Sequence, residues 1–400
     1  MNVAAPRIAT LDFLRGVAVL GILVANLPGF ALPQAAYFSP VAWGGTRSAD
    51  IAMWFATFVL VEGKMRGLFA ALFGASMLLV IRRADDAGDN GAAVHLRRMA
   101  ALFAIGCAHL YLVWYGDILT QYALIGCVAL LFVHARVRVL LLAAAAALLF
   151  ATLNGLALVR AAAEPATQAA VEQAFGRPPA AMLLREIAAL RGTLADGIAW
   201  RWTEDAGPVA AALFNGPETL GYMLLGMAGL RSGMLTGDWP RARYVRLAAW
   251  SLGLTMPLHV LIACHTMARH FATDAVVAAS FALEAPLRPF TVAGYAALLI
   301  VVQQHGGRAA ARIAAVGRTA LSNYVGCSLV LAALFYGWGA GRFAGWGRAE
   351  SYLLPPPLWA VMLLWPQFWL RRFGCGPLEW LWRSLIHLHP QPLRPTPVAK

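Results

Sequence analysis

Charge is what this chain has least of. Only 13% of its 400 residues are Asp, Glu, Lys or Arg, where a soluble domain carries about 25%. Acids are the scarcer sign, 19 against 32 cations, and the formal net charge is +13. Such poverty of charge excludes a soluble globular domain. Cysteine is sparse and scattered: of Cys107, Cys127, Cys264, Cys327 and Cys375, four lie inside apolar runs and none forms a CxxC pair. An odd, dispersed set excludes a disulfide framework and a zinc site, so no metal is expected. The chain has no Walker loop, GxGxxG or internal repeat, and nothing suggests an ATP-driven pump. Histidine is missing from residues 1–94 altogether.

Apolar length is abundant. Hydrophobic residues make up 60% of the chain and mean hydropathy is +0.65. Apolar runs between polar breaks fall at 11–27, 66–81, 99–115, 118–134, 137–159, 209–230, 246–268, 275–303, 317–335 and 353–370. A helix of roughly 20 such residues crosses a bilayer. The expected fold is therefore all-α, a polytopic membrane bundle of about ten transmembrane helices forming one domain over residues 1–400. The stretch 51–61 is too short to cross alone and reads as interfacial or re-entrant. With the N-terminus inside, 20 of the 32 cations fall on inner segments and 11 on outer ones. The inner loops are short and dense in Arg, so the positive-inside rule sets both termini inside. Arginines dispersed between spans meet anionic lipid or phosphate and not nucleic acid. Asp12 and Arg15 lie within the first span, which argues for an uncleaved helix over a signal peptide.

Two segments lie outside the spans. In the outer-face loop 160–208, Leu183, Ile187, Leu190, Leu194 and Ile198 share one helical face, predicting an amphipathic helix on the outer surface. The tail 371–400 contains "GPLEWLWRSLIHLHP", whose Trp380, Trp382 and Arg383 suit a cytoplasmic interfacial anchor.

Ionisable residues at bilayer depth cost on the order of 3 kcal/mol, so each is a candidate for function. Asp12, Arg15, Val19, Ile22 and Asn26 share a face of the first span. Arg15 and Asn26 stand about 16 Å apart along it. The stripe is either one wall of a substrate path or a snorkelling pair with an end-of-helix Asn. His109 sits in the outer half of the third span, as a general base or as a buried packing residue. Gly106, one turn below, would admit a helix or a ligand. Asp117 caps the fourth span, orients His109 or binds an acceptor. Glu62, Lys64 and Arg66 crowd the outer mouth of the second span, to bind an anion or to snorkel. Glu284 and Arg288 can pair at i, i+4 beside Pro286 and Pro289. They line a cavity or neutralise each other. Arg318 and Asn323 open the ninth span, the first suited to phosphate and the second to substrate or to helix packing.

The stretches "RIATLDFLRGVAVLGILVAN", "GKMRGLFAALFGASM", "RRMAALFAIGCAHLYLVWYGDILTQYALIG", "VGRTALSNYVGCS" and "FGCGPLEWLWRSL" together resemble the YeiB-like bacterial inner-membrane family of unknown function. The set runs from the N-terminus to the tail. That family is distantly similar to transmembrane acyltransferases such as the heparan-glucosaminide acetyltransferases, through the "LDxLRG" helix opening and an Asn eleven residues after the Arg. Asp12, Arg15, Gly16 and Asn26 match that pattern, and Asp50 matches an Asp in the following segment. The position of a His thought catalytic in the glucosaminide enzymes is Tyr37 here.

The resemblance implies a multi-pass protein of the bacterial inner membrane that moves an acyl group from cytosolic acyl-CoA, a co-substrate and not a tightly bound cofactor. The acceptor would be a hydroxyl or amine on an envelope sugar or lipid-linked molecule. On this expectation Arg15, Arg318 and Asp12 bind the donor, His109, Asn26 and Asp117 act in catalysis, and Lys64, Arg66, Glu284, Arg288 and Asn323 bind substrate. Membrane lipids are the expected partners, and self-association as a homo-oligomer is left open. The alternatives are a transporter or flippase of an anionic metabolite or lipid intermediate, and a non-catalytic membrane partner of an envelope assembly.

Overall fold

A computed structural model describes residues 8–204 and 207–394. Arg7 and Lys400, which counted toward the charge asymmetry, lie outside them. Among the described residues the regular structure is entirely helical. In chain order the helices are α1 (Ala9–Ala31), α2 (Ser48–Leu60), α3 (Lys64–Asp86), α4 (Gly91–Leu112), α5 (Leu119–Ala129) and α6 (Val137–Ala163). Next come α7 (Pro165–Phe175), α8 (Ala180–Arg191), α9 (Leu194–Glu204), α10 (Gly207–Arg231), α11 (Arg241–Ala268) and α12 (Thr273–Val277). The C-terminal third supplies α13 (Arg288–Gln303), α14 (Gly307–Arg318), α15 (Ala320–Phe335), α16 (Arg348–Ser351), α17 (Pro355–Arg372) and α18 (Pro377–His387).

All ten expected apolar segments are helical, and the chain is a polytopic helical membrane protein. Continuity is where the structure departs from expectation. Four helical units are long and apolar enough to cross a membrane, Ala9–Ala31, Ser48–Asp86, Val137–Ala163 and Arg241–Ala268, and up to six if two bent pairs each count as one. The expectation of about ten counted apolar stretches without requiring long unbroken helices. α5 has only 11 residues. α4 carries His95, Arg97 and Arg98 in its first half, and α10 and α17 contain internal Pro217 and Pro366.

Four further findings concern breaks. The 51–61 stretch belongs to α2, which runs into α3 across a turn at Val61–Gly63, where Gly63 has φ of +70°. The eighth span is not one helix: α12 passes into a π-helical turn, Ala278–Leu283, and then bends by 58° into α13. A π-turn misaligns the hydrogen-bond ladder, and Pro286 and Pro289 cannot restore it. The ninth span starts at Ala320, because α14 meets α15 at 79°. The outer loop does not form one amphipathic helix; Gly192 and Thr193 split it into α8 and α9.

The core gathers around α1, which packs on α3, α14 and α15, and around α10, which packs on α3, α5 and α6. Its apolar window is 67% buried in α1 but 17% in α6 and 22% in α11, so the last two stand at the periphery, where lipid covers them. The α1–α14 crossing is a backbone contact. A Cβ on Gly16 would lie 2.0 Å from the Ile313 oxygen, and one on Gly317 would lie 1.8 Å from the Asp12 oxygen. Small residues let helices approach this closely in membranes. That contact sets Arg318 beside the Asp12–Arg15 stripe.

Candidate functional site

The starts of α1, α4 and α15 and the end of α3 meet at one end of the bundle, with α18 folded across them. All are segments expected on the inner side. Between them lies a cavity of about 310 Å³. Phe69, Phe73, Ser76, Val80 and Arg83 line it from one face of α3, a depth of about 21 Å at the helical rise. Arg15, Arg83, Arg98, Arg318 and Arg383 ring its mouth, and Asp12 and Glu379 are the acids.

The acids are committed elsewhere in the ring. Asp12 Oδ1 accepts from Arg15 Nη1 at 2.9 Å, and Arg15 Nη2 donates to Ser76 Oγ at 2.8 Å. Glu379 accepts from the Leu321 and Ser322 backbone N–H groups at 2.7 and 3.2 Å and from the Ser322 hydroxyl at 2.5 Å. It thereby caps α15, satisfying donors a helix start leaves open. Among the described residues Arg83, Arg98, Arg318 and Arg383 have no ion-pair partner, and the Nε atoms of Arg98 and Arg318 are buried without an acceptor. Four guanidinium groups without an ion-pair partner thus gather at one mouth, and guanidinium groups suit phosphate and carboxylate oxygens. Trp382 fastens the tail there, its Nε1 donating to the Arg98 oxygen at 3.0 Å and its ring 4.4 Å from the Arg98 guanidinium. The tail, expected as an interfacial anchor, is thus a wall of the cavity.

Tyr122 and Tyr324 belong to the lining toward the deep end. The Tyr324 ring stands 5.1 Å from the His109 ring. His109 Nδ1 is 2.9 Å from Asp117 Oδ1, and Asp117 Oδ2 accepts from the Thr120 N–H at 2.7 Å. Asp117 thus holds both the start of α5 and the His109 ring. A carboxylate only accepts, so Nδ1 carries a proton and Nε2 is the nitrogen left to face a ligand. Nε2 is buried and has no partner among the described residues. Gly106 brings α5 close: a Cβ there would sit 2.6 Å from the Thr120 nitrogen. The expected choice between a helix and a ligand at Gly106 falls to the helix.

Asn26 lines a small separate space with Asn323, Tyr324 and Phe30, and no hydrogen bond joins it to His109 or Asp117 among the described residues. Asn323 is committed to packing. Its amide donates to Thr319 Oγ1 at 2.9 Å and to the Val316 oxygen at 3.3 Å, and its oxygen accepts from Trp365 Nε1 at 2.8 Å. These bonds occupy both amide hydrogens and one lone pair of its oxygen, which makes helix packing its main role.

Lys64, Arg66, Glu284 and Arg288 come together, but at the opposite end of the bundle. Lys64 Nζ is 2.7 Å from Glu284 Oε1, both side chains fully buried. His259 Nδ1 lies 2.8 Å from the same oxygen. Arg288 pairs with Glu284 at 3.2 Å and with Glu218 at 3.4 Å, and Arg66 with Glu218 at 2.5 Å. The network bridges α3, α10, α11 and α13 at the π-turn break. Glu218 and His259 were not singled out in the sequence, since no local spacing ties either to the charges it meets. Tyr324, Arg98 and Arg383 escaped for a different reason: their meeting depends on helix packing across nearly the whole chain.

The outer helices cover the end above His109. Arg201 on α9 donates to the Tyr111 and Leu112 oxygens at 2.9 and 3.2 Å, closing the C-terminus of α4. Arg191 on α8 donates to the Phe343 oxygen at 2.6 Å. Glu186 Oε1 accepts from the Gln34 N–H at 2.9 Å, and burial pushes its carboxyl up to about 7 despite that bond. Asp50 is buried and accepts from the Ala349 N–H at 2.8 Å and from Arg47 at 2.9 Å, a structural tie between α2 and α16.

Comparison with known proteins finds similarity over nearly the whole chain. Residues 230–389 match a family described as "Protein of unknown function (DUF418)", the region supplying Glu284, Arg288, Arg318, Tyr324 and Arg383. The chain is 31% identical to the uncharacterized protein YeiB of Escherichia coli (strain K12) over 393 residues, 95% of this chain and 96% of YeiB. It is 30% identical to the uncharacterized protein YxaH of Bacillus subtilis (strain 168) over 413 residues, 97% of this chain and 96% of YxaH. By this end-to-end similarity the chain belongs to the YeiB-like family of unknown function.

Proposed function

We propose that this protein is an acyltransferase of the bacterial inner membrane, taking its acyl group from a phosphate-bearing thioester of the acyl-CoA type. One observation carries the reading: a deep cavity rimmed by unpaired arginines, apolar within, whose lining Tyr324 packs against a buried His–Asp pair with a free imidazole nitrogen. Phosphates suit the guanidinium rim, and a thin carrier arm suits the depth along α3. Arg15 holds the rim together through Asp12 and Ser76, while Arg318 and Arg98 face the donor.

The chemistry is ordinary acyl transfer. His109 Nε2 takes the proton of the acceptor hydroxyl or amine as that atom attacks the thioester carbonyl. Asp117 holds the ring and stabilises the imidazolium that forms. The Asn26 amide donates to the developing oxyanion once the Tyr324 side chain yields, a step that needs the cavities on its two sides to join. The intermediate collapses, the C–S bond breaks, and His109 returns the proton to the leaving thiolate. The acceptor, a hydroxyl or amine of an envelope sugar or lipid-linked molecule, enters from the end opposite the arginines.

Transfer of labelled acetyl from acetyl-CoA to membrane material, with purified protein in lipid vesicles, tests this. The expected result is transfer by the wild type and its loss in His109→Ala, which still binds acetyl-CoA. Full transfer by His109→Ala would sink the assignment. The buried Lys64–Glu284 pair at a broken helix favours a second reading, transport of an anionic metabolite or lipid intermediate. Vesicle uptake without any acyl-CoA, lost in Glu284→Gln, would favour it.

A further inference from the structure

The arginine cavity and the small space around Asn26 lie on two sides of one side chain. Among the described residues Tyr324 alone lines both. It is buried, and its ring stands 5.1 Å from the His109 ring. Its hydroxyl accepts from the Ile118 N–H at 3.4 Å, a long bond, and has no other hydrogen bond among the described residues. The wall between the two spaces is thus a single, weakly tethered ring. The two spaces differ greatly in size. The arginine cavity measures about 310 Å³ and the Asn26 space about 10 Å³, the room that one water-sized group needs. Ile22, Leu23, Leu331 and Met362 wall the small space, each at most 4% exposed. Phe30, also in its lining, is fixed by stacking on Trp114 at 4.2 Å between ring centres. Walls of this kind belong to the packed core, and extra methylenes forced between them displace their neighbours.

On the acyl-transfer reading, on which this inference rests, the thioester carbonyl comes within reach of the Asn26 amide while its attacker stands beside His109. The donor's arm then fills the near cavity, and the thioester takes the place that Tyr324 yields. Whatever follows the carbonyl has the Asn26 space to enter. A methyl group fits a water-sized hole, and the apolar walls suit it. A longer chain does not fit. The arginine cavity alone would set no such limit. We propose that the Asn26 space is the acyl pocket, and that its buried walls, Leu331 and Met362 among them, restrict the transferred group to two carbons. Chain length is thus chosen on the far side of Tyr324, by residues that touch neither the arginines nor the His109–Asp117 pair among the described contacts.

Acetyl-, propionyl- and butyryl-CoA, each labelled in the acyl group, form the chain-length series. Wild-type protein in lipid vesicles receives each in turn, and transfer to membrane material is read as kcat/KM. One methylene too many in a closed apolar pocket changes this ratio by about 10–200-fold. The expected result is therefore a fall of at least tenfold from acetyl to butyryl, with propionyl between them. Met362→Ala enlarges the pocket and is expected to raise the butyryl-to-acetyl ratio at least tenfold. Leu331→Ala is a second variant of the same kind, and the wild-type series decides if neither folds. General damage to the fold lowers both rates together and leaves their ratio where it was. Butyryl transferred as fast as acetyl by the wild type, or an unmoved ratio in a folded variant, overturns the pocket and leaves acyl transfer standing. No transfer from any of the three thioesters overturns the pocket and the acyl-transfer reading together.

Discussion

His109 makes its case through what it lacks. Its Nδ1 is fixed by Asp117 at 2.9 Å, and its Nε2 is buried with no acceptor or donor among the described residues. His95 likewise has one nitrogen held, its Nε2 3.0 Å from the Gly126 oxygen, and a buried Nδ1 without a partner; what sets His109 apart is the carboxylate behind its ring. Asp117 separates two functions that a single substitution can tell apart. In Asp117→Asn the cap on α5 survives, because Asn caps as well as Asp, and the melting temperature should hold. The anion behind the imidazole is lost, so transfer should fall by about 10²–10⁴ at unchanged acetyl-CoA affinity. Equal rates in the variant and the wild type would make the pair structural. The first-span stripe and the His109–Asp117 proximity were legible in the sequence because i, i+3 and i, i+4 steps and an eight-residue separation are local. Tyr324 was not, since nothing local marks a tyrosine in an apolar run as the residue that will meet a histidine 215 positions earlier.

Among the elements, the α1–α14 crossing and the outer helices carry opposite lessons. Gly16 and Gly317 were readable as small residues but not as a pair, because their contact joins the two ends of the chain. Gly317→Val should wedge the crossing apart, since a Cβ has 1.8 Å where it needs ordinary contact. Overpacking of this kind costs about 1–3 kcal/mol. Thermal unfolding should show the loss, and acetyl-CoA binding should fall with it because Arg318 moves away from Arg15. A stable variant with full binding would mean the crossing does not set the mouth. The outer loop was legible as amphipathic, but the Gly192–Thr193 break was not, as one apolar period runs through both helices. Its docking should depend on pH. Glu186 goes from an ordinary carboxyl when exposed to about 7 when buried. The docked state therefore holds its proton more tightly, and docking weakens as pH rises from about 4.5 to 7, then levels off. Hydrogen exchange of α8 should rise over that window in the wild type and stay flat in Glu186→Gln. A flat wild-type profile would show that Glu186 does not control docking.

At the scale of the whole molecule, polarity divides between two ends. The arginine mouth gathers α1, α3, α4, α15 and α18, while the Lys64–Glu284 network gathers α3, α10, α11 and α13 at the other. α3 spans both, from Lys64 to Arg83, about 28 Å at the helical rise. The alternation of apolar runs and Arg-rich loops made the bundle and its two ends legible. The helix breaks at 58° and 79° were hidden, because apolar composition continues through them. The division gives the account its central claim, that the arginine end receives a phosphate-bearing donor. The most direct test is the affinity of acetyl-CoA for the purified protein in nanodiscs, compared with the Arg98→Glu, Arg318→Glu double variant. The account predicts saturable wild-type binding that weakens with salt, and a loss of at least a hundredfold in the double variant with the fold intact. Equal affinity in the two proteins, or no binding to the wild type, would contradict it.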